Sequence, residues 1–189
     1  PVIVAVHRQT NRQICGWVRA MFHPTSTFLI GLPVFAYLLG SVPWGLVLTR
    51  TFTSVDIRRQ GSGNIGATNV RRLAGTPLGL LTLSGDLLKG AIPVYLAANV
   101  TELDPIRQAL FVSVVALAAF AGHLFPLYLK LKGGGKGVVT AVGCFLVISP
   151  MSVLVALIAF LLIVCWSRRV SAGSLSAAAV LPAAVWWSL

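Results

Sequence analysis

Long apolar runs divide this chain of 189 residues, and they restrict its possible folds more than any other feature. Residues 28–49, 77–100 and 106–127 each supply the roughly 20 residues that a helix needs to cross a bilayer. Within lipid every backbone polar group must find a partner in the protein, so only helices and closed barrels span a membrane. The runs lack the period-two alternation that barrel strands show. The sequence therefore predicts an all-α, multi-pass integral membrane protein.

The charged residues agree with this fold class. Hydrophobic residues make up 57% of the sequence and charged residues 10%, whereas soluble domains carry about 25% charged residues. The net charge is +11, and its basic residues cluster between the apolar runs. We interpret them as the Lys and Arg excess of cytoplasmic loops, which also suits anionic substrates and lipid headgroups. The lipid bilayer is therefore a predicted partner, and nucleic acid is not.

Two further apolar regions complete a predicted bundle of about six spans. Residues 138–166 are interrupted by Ser149 and Pro150, and proline pushes the residue before it out of the helical conformation. Two short helices hinged there would return the following basic residues to the side of the other basic loops. A basic loop at 167–174 and a final span from about Leu175 are predicted to follow.

The ends of the chain suggest its domain organisation. Residues 1–26 form a polar and basic leader of uncertain structure, and residues 27–189 form one membrane domain. Because the chain stops within an apolar run, we expect this domain to be truncated at its C-terminus. Gly40 and Pro43 in the first run predict close packing or a kink.

A glycine-rich stretch, Gly-Ser-Gly-Asn-Ile-Gly-Ala-Thr-Asn at residues 61–69, lies in a predicted loop at 50–76. Glycine lets backbone N–H groups approach a ligand closely, and Ser, Thr and Asn side chains add donors. This combination is typical of an anion-binding loop and best suits phosphate. Arginines frame the stretch on both sides: Arg58, Arg59, Arg71 and Arg72.

The same stretch matches the dinucleotide-binding pattern G-x-G-x-x-G through Gly61, Gly63 and Gly66. That motif requires a strand before it, a helix after it and a surrounding βαβ unit. Here an arginine-rich loop precedes it and predicted membrane helices surround it, so we interpret the match as chance.

A second glycine-rich loop, Lys-Leu-Lys-Gly-Gly-Gly-Lys-Gly, occupies residues 130–137. A Walker A loop needs Ser or Thr after its lysine, whereas Gly137 follows Lys136. Glycine N–H groups beside one lysine still form an anion-binding loop, and a flexible basic surface loop is the alternative. Two such loops on one predicted face favour phosphate binding.

Ionisable residues inside the spans leave alternatives open. Asp86 and Lys89 lie one helical turn apart, and they predict either an ion pair that orients the helix or a part of the site. His123 is better suited to a structural role than to that of a base. Cys15, Cys144 and Cys165 show neither a disulfide framework nor zinc-ligand spacing, so no metal or cofactor is predicted.

In their order along the chain, these motifs resemble the bacterial membrane glycerol-3-phosphate acyltransferases that use acyl phosphate as donor, the PlsY family. The resemblance covers residues 36–174. Its segments are Ala-Tyr-Leu-Leu-Gly-Ser (36–41), Asp-Ile-Arg (56–58) leading into 61–69, Asp-Leu-Leu-Lys-Gly (86–90), Gly-His-Leu-Phe-Pro (122–126), Lys-Gly-Gly-Gly-Lys-Gly-Val (132–138) and Val-Ser-Ala-Gly-Ser (170–174). The glycine loop has one glycine more than the commonest family form, and the family's C-terminal His and Asn motif would lie beyond residue 189.

The resemblance implies a function in phospholipid synthesis at the bacterial inner (plasma) membrane. It implies acyl phosphate and glycerol-3-phosphate as substrates, a site facing the cytoplasm, seven spans in the full family fold and a link to the soluble enzyme that makes acyl phosphate. The catalytic residues would be Ser62, Arg72 and Lys136. The substrate-binding residues would be Gly61, Gly63, Asn64, Thr68, Asn69, Gly134, Gly135, Gly137, Ser174 and His123.

Acyl phosphate is already activated, so the enzyme needs mainly to position the substrates and to stabilise charge. We expect the glycerol-3-phosphate hydroxyl to attack it directly, with a phosphate oxygen taking the proton. Ser62 as a covalent nucleophile is the rival, although no histidine lies near it in sequence. The H-x-x-x-x-D acyltransferase pattern is excluded, because Arg12, Phe28 and Tyr128 follow the three histidines at the required spacing.

A membrane transporter of an organic phosphate anion is the alternative function. Glycine-broken helices would form its site, and an internal repeat of the spans would be its expected sign. The sequence shows no such repeat.

Overall fold

The computed structural model describes residues 26–100 and 103–188, and every regular element in these two segments is helical. The predicted leader at 1–26 lies outside the described residues except for Ser26. The helices are α1 (Ser26–Gly40), α2 (Trp44–Phe52), α3 (Ala67–Ala74), α4 (Thr76–Ala98), α5 (Pro105–Leu124), a 3-10 turn (Leu127–Leu129), α6 (Val138–Ile148), α7 (Pro150–Ser167) and α8 (Val170–Ser188).

Within residues 26–100 and 103–188, four helical segments are long and apolar enough to cross a membrane: α4, α5 with its 3-10 extension, α7 and α8. The pair α1 and α2 passes the same test as one span that is bent by 45°. Helix α6 is apolar but has only 11 residues, which rise by about 16 Å, or half of the hydrocarbon core. The all-α membrane fold is therefore confirmed, and the count of six spans stays a prediction.

Both interruptions predicted within the apolar runs are present. The bend between α1 and α2 falls at residues 41–43, where Pro43 has no N–H to continue the helix. Ser149 separates α6 from α7 in a non-helical conformation, with φ −153° and ψ 85°. Pro150 then starts α7, and the Ser149 hydroxyl lies 2.7 Å from that of Ser152. The predicted break into two helices at Ser149 is thus confirmed, but α7 is long enough to cross a membrane by itself, and the side on which Arg168 and Arg169 lie stays a prediction.

Two loop boundaries predicted from the sequence are wrong. The loop predicted at 167–174 shrinks to a two-residue turn, because Arg168 ends α7 in the left-handed conformation and α8 begins at Val170. The loop predicted at 50–76 contains α3, which starts after Gly66. Gly, Thr and Asn have low helix propensity and concealed this short helix. Residues 53–66 form the first loop, and residues 130–137 form the second loop.

Glycines allow α4 and α6 to approach each other closely. A Cβ on Gly90 would overlap with the carbonyl of Thr140, and a Cβ on Gly143 would overlap with the carbonyl of Leu87. Lipid supplies no hydrophobic drive between helices, so close contact at small residues replaces it. This contact fixes α4 against the start of α6, where the second loop ends.

Helices α1 and α5 use the same device. A Cβ on Gly40 would overlap with the Ala119 carbonyl, and one on Gly122 would overlap with the Tyr37 carbonyl. The main apolar core lies between α1, α4 and α5 and buries Leu32, Ala36, Val94, Ala97, Val100, Phe111, Val115 and Ala119. The ends of α1 and α5 are thereby held together beside both loops.

Replacing Gly143 by alanine should destabilise the protein by about 1–3 kcal/mol, because the new methyl group overpacks the contact with Leu87. Thermal unfolding in detergent measures the effect. Gly31→Ala is the matched control, since a Cβ on this helical glycine would have no atom within 4 Å. Equal melting temperatures for the two variants would contradict the close α4–α6 contact.

Candidate functional site

The first and second loops, which are far apart in sequence, lie side by side. Leu129, directly before the second loop, packs against a cluster of Leu46, Ile57, Ile65 and Val70 that underlies the first. Above this cluster, the Arg58 guanidinium lies against Gly133, and a Cβ on Gly133 would be 2.9 Å from Arg58 Nη2. The two predicted anion-binding loops therefore form one surface.

The first loop is folded around the side-chain amide of Asn69. Asn69 Nδ2 donates to the carbonyls of Ile57 (3.0 Å) and Asn64 (2.9 Å), and its Oδ1 accepts from the Ser62 N–H (3.1 Å). Asn69 is 2% exposed. A Cβ on Gly61, where φ is +62°, would overlap with Asn69 Oδ1. The amide is thus committed to the shape of the loop, and contact with substrate stays a prediction.

The other predicted residues of this stretch lie on its outer surface. Ser62, Gly63, Thr68 and Arg72 are exposed, and Asn64 Oδ1 accepts from the Gly66 N–H at 2.9 Å in a tight turn. Thr68 and Arg72 are on α3, whose N-terminus has no side-chain cap. Uncapped N–H groups at a helix start can donate to an anion.

The second loop packs on the end of α5. The Gly135 N–H donates to the His123 carbonyl at 3.3 Å. A Cβ on Gly134 would overlap with the Leu124 carbonyl, one on Gly135 with His123 Nε2, and one on Gly137 with the Phe120 ring. Each glycine is therefore required by close packing, whatever its role toward a ligand. Lys136, between Gly135 and Gly137, is exposed.

A buried polar cluster lies behind the second loop. Asp86 and Lys89 form an ion pair of 2.9 Å with side chains only 6% and 2% exposed, and Lys89 Nζ also donates to the Val42 carbonyl at 2.9 Å. The Thr140 hydroxyl donates to the Asp86 carbonyl at 2.9 Å and lies 3.0 Å from His123 Nδ1. The ion pair, one of the two alternatives left open by the sequence, is present within α4, and Lys89 Nζ links it to the bend between α1 and α2. A part of this pair in the site stays a prediction.

The contacts of Thr140 also determine which nitrogen of the His123 ring carries the proton. A hydroxyl has one proton, and that of Thr140 is used on Asp86. His123 Nδ1 must then be the donor to Thr140, which leaves a lone pair on Nε2, beside Gly135, in the neutral ring. His123 therefore supports the glycine loop from within the bundle.

Ser174 lies apart from these contacts. Its hydroxyl donates to the Val170 carbonyl within α8 (3.0 Å), and α8 packs along α7. The predicted substrate contact of Ser174 stays a prediction. Sequence reasoning did not identify Thr140 as part of the site, and Arg58 carried only the general signal of four framing arginines.

An apolar groove of about 660 Å³ leads away from the second loop between α5, α6 and Val185 of α8. It begins at Phe120, which packs on Gly137, and passes Leu117 and Cys144 towards Gln108. Within the described residues, no group of three or more His, Cys, Asp or Glu side chains could hold a metal ion.

Known proteins are similar to this chain in sequence and in fold. A family model described as glycerol-3-phosphate acyltransferase matches residues 30–189. The chain is 55% identical over 153 residues to a glycerol-3-phosphate acyltransferase of Syntrophotalea carbinolica, covering 81% of this chain and 76% of that protein. It is 51% identical over 151 residues to a glycerol-3-phosphate acyltransferase of Geobacter sulfurreducens, covering 80% of this chain and 74% of that protein.

Two solved structures are similar. They are crystal structures of PlsY (YgiH), an integral membrane glycerol 3-phosphate acyltransferase, in glycerol 3-phosphate and lysophosphatidic acid forms. Both are 38% identical to this chain and cover 81% of it, with TM-scores of 0.74 and 0.73. This chain in turn covers 74% and 73% of those structures.

Replacing Lys89 by methionine should destabilise the protein by about 3–5 kcal/mol, because the buried Asp86 carboxylate would lose its partner. The double variant Asp86→Asn/Lys89→Met should recover much of this loss, as thermal unfolding would show. Arg107→Met is the control, since the exposed Arg107–Asp104 pair has the same spacing. Loss of this pair should destabilise the protein by about 1 kcal/mol or less. Equal losses at both pairs would contradict the structural role of the buried pair.

Asn69→Ala should destabilise the first loop by about 2 kcal/mol or more, because it leaves the Ser62 N–H and two carbonyls without their partner. Limited proteolysis within residues 53–66 and the melting temperature measure this. The control is Asn99→Ala, whose exposed side chain makes one bond within its own turn. Protease resistance equal to that of the unsubstituted protein would show that the amide does not hold the loop.

Proposed function

The chain belongs to the glycerol-3-phosphate acyltransferase family and is an integral membrane acyltransferase that uses glycerol-3-phosphate, and from that premise we propose that its donor is acyl phosphate and that the two loops bind the reacting phosphates. The product is 1-acyl-glycerol-3-phosphate, a lysophosphatidate. A PlsY structure in a lysophosphatidic acid form agrees with this product. The transporter alternative is not favoured by these relatives.

The observation that carries the proposal is the net charge of the two loops taken together with α3. Residues 53–76 and 130–137 contain seven basic side chains and one carboxylate, that of Asp56. Asp56 is already paired with Arg59 at 3.5 Å. Two phosphate groups brought by the substrates would supply the missing negative charge, and glycine N–H groups with Arg and Lys are the donors that phosphate prefers.

The proposed reaction is a direct transfer. The glycerol-3-phosphate hydroxyl oxygen attacks the carbonyl carbon of acyl phosphate, the new C–O ester bond forms, and the C–O bond to phosphate breaks. Inorganic phosphate leaves, and one of the bound phosphate oxygens takes the hydroxyl proton. Lys136 and Arg72 stabilise the charge on the phosphates, and preorganised donors at such positions are worth most where charge develops.

Ser62 is proposed as a substrate ligand rather than a nucleophile. A nucleophilic serine needs a base within hydrogen-bond reach. His123, the one histidine in the described part of the chain, is buried and uses Nδ1 on Thr140. Ser62 is instead exposed, and its N–H donates to Asn69 Oδ1 of α3, so its hydroxyl is free to donate to a phosphate oxygen. The remaining predicted ligands, including Thr68 and Ser174, are proposed in the same supporting role.

The apolar groove between α5 and α6 would accommodate the acyl chain. It starts beside the second loop at Phe120 and is lined mainly by apolar side chains. From Phe120 to Gln108, α5 rises by about 18 Å, which gives a hydrocarbon chain a route into the membrane from a phosphate on the loop. The carbonyl carbon would then lie at the boundary between the groove and the loops.

We also propose the orientation and the supply of substrate. The basic loops face the cytoplasm of a bacterium at its inner (plasma) membrane, as the bias of Lys and Arg favours. Water-soluble glycerol-3-phosphate would reach them there, and a soluble enzyme would deliver acyl phosphate. Accessibility labelling of a cysteine introduced at Lys132 in sealed inverted vesicles tests this orientation.

The reaction is tested by mixing purified full-length protein with acyl phosphate and glycerol-3-phosphate and measuring lysophosphatidate and free phosphate. Equal amounts of both products are expected. Mass spectrometry of the protein quenched during turnover should find no acyl group on Ser62. An acylated Ser62 would replace direct transfer by a two-step reaction, and phosphate ester transport without product would favour the transporter.

Lys136→Ala should lower kcat/KM, because a charged hydrogen bond to phosphate would be lost. The loss corresponds to about 2 kcal/mol or more of binding free energy. Steady-state kinetics measure this, and the melting temperature should not change because Lys136 is exposed. Lys132→Ala is the matched control in the same loop. If both variants retained the unsubstituted kinetics, Lys136 would be a surface lysine.

A further inference from the structure

Arg58 is the side chain that connects the first loop to the second, and it was not among the residues that the sequence assigned to the site. Its backbone belongs to the first loop, where a Cβ on Gly63 would lie 3.3 Å from the Arg58 carbonyl oxygen. Its guanidinium extends over Gly133 in the second loop. Gly133 has φ +72°, a backbone conformation that favours glycine. Because glycine has no side chain, the guanidinium lies directly against its backbone.

The acids in the described part of the chain leave the Arg58 guanidinium without a carboxylate partner. The sequence contains four acids, at positions 56, 86, 102 and 104. Each described acid pairs with the basic residue three positions later: Asp56 with Arg59, Asp86 with Lys89, and Asp104 with Arg107.

The neighbouring Arg59 shows by contrast how Arg58 differs. Arg59 bonds Asp56 at 3.5 Å and its side chain is 88% exposed, so it points into solvent with its charge compensated. Arg58 takes only a backbone contact from the same acid, since its N–H donates to Asp56 Oδ1 at 3.0 Å. Within residues 26–100 and 103–188, the Arg58 guanidinium itself makes no ion pair. The structure therefore holds one of two adjacent arginines over the junction of the loops with its charge unbalanced.

We propose that Arg58 binds a substrate phosphate at the junction of the two loops. This inference rests on the function proposed above. Five N–H donors in a rigid plane match the oxygens of a phosphate group in a paired arrangement, which the rounded ammonium group of lysine cannot reproduce. Because the Arg58 backbone belongs to the first loop and its guanidinium lies against the second, a phosphate bound there would contact the junction of the two loops.

The same chemistry could serve a phosphate of an anionic lipid headgroup, because both loops lie at the end of membrane helices. A substrate phosphate is the better fit. Arg58 lies over Gly133, and the next two glycines of the same loop pack on the end of α5, whereas the Arg59 side chain is directed into the solvent. The two sources make different predictions for kinetics in neutral detergent.

The experiment compares Arg58→Gln, Arg58→Lys and Arg59→Gln as purified full-length proteins in neutral detergent. Arg58→Gln should raise KM for glycerol-3-phosphate or acyl phosphate by about ten-fold or more, with a smaller change in kcat. Arg58→Lys should recover only part of this loss, and Arg59→Gln should match the unsubstituted enzyme. Since Arg58 is exposed, the melting temperature without ligand should be the same in all variants.

A binding measurement separates this inference from the reaction. Glycerol-3-phosphate, or inorganic phosphate as the simpler probe, should raise the melting temperature of the unsubstituted protein and of Arg59→Gln more than that of Arg58→Gln. If no variant forms lysophosphatidate, the proposed function fails, and these melting temperatures still decide the role of Arg58.

Three results would overturn the inference. Unchanged KM and unchanged ligand stabilisation in Arg58→Gln would remove Arg58 from the site. Equal effects of Arg58→Gln and Arg59→Gln would indicate general electrostatic attraction. An effect of Arg58→Gln that appears only after phosphatidylglycerol is added to the micelles would assign the guanidinium to lipid headgroups.

Discussion

The ammonium group of Lys89 lies inside an apolar bundle, where a charge without partners would be very unfavourable. Its partners come from two helical elements: the Asp86 carboxylate on α4 and the Val42 carbonyl in the bend between α1 and α2. In the bend this carbonyl accepts from the Trp44 N–H at 3.1 Å, and Lys89 supplies its second hydrogen bond. Through Thr140 and His123, the same cluster reaches α6 and α5. One polar contact set therefore joins α4, α5 and α6 to the bend between α1 and α2, and it lies behind the second loop.

Each loop is also shaped from behind by a buried side chain. Asn69 fixes the first loop through bonds to its backbone, and His123 supports the second beneath Gly135. The surface that remains, with Ser62, Arg72 and Lys136, consists of donors and cations. Acyl transfer from an activated donor needs positioning and charge stabilisation more than a strong base. A rigid, basic surface beside an apolar groove provides both, which explains how a chain with so few acids can be an acyltransferase.

The sequence was sufficient for features that depend on local patterns. Apolar length predicted the membrane helices, and proline predicted the bend at 41–43 and the hinge at Ser149. The helix at 67–74 and the early start of α8 escaped prediction because glycine, serine and threonine disguised their helical segments. Asn69 and Thr140 act through partners that are distant in sequence or hidden by the fold, and so does the contact of Arg58 with Gly133. Asp56 lies in a loop, where a spacing of three residues does not by itself imply contact, so only the folded structure shows that it neutralises Arg59 and not Arg58.

The central claim is that the two loops act as one phosphate site, and a double-mutant cycle of Arg72→Gln and Lys136→Ala tests it most directly. If both cations serve the same reacting phosphates, their effects on kcat/KM should be coupled by about 0.5–3 kcal/mol. The reference cycle pairs Lys136→Ala with Arg107→Gln, which lies about 25 Å along α5 from the second loop and should show no coupling. Additive effects of Arg72→Gln and Lys136→Ala, equal to those of the reference cycle, would show that the loops act independently and would contradict the account.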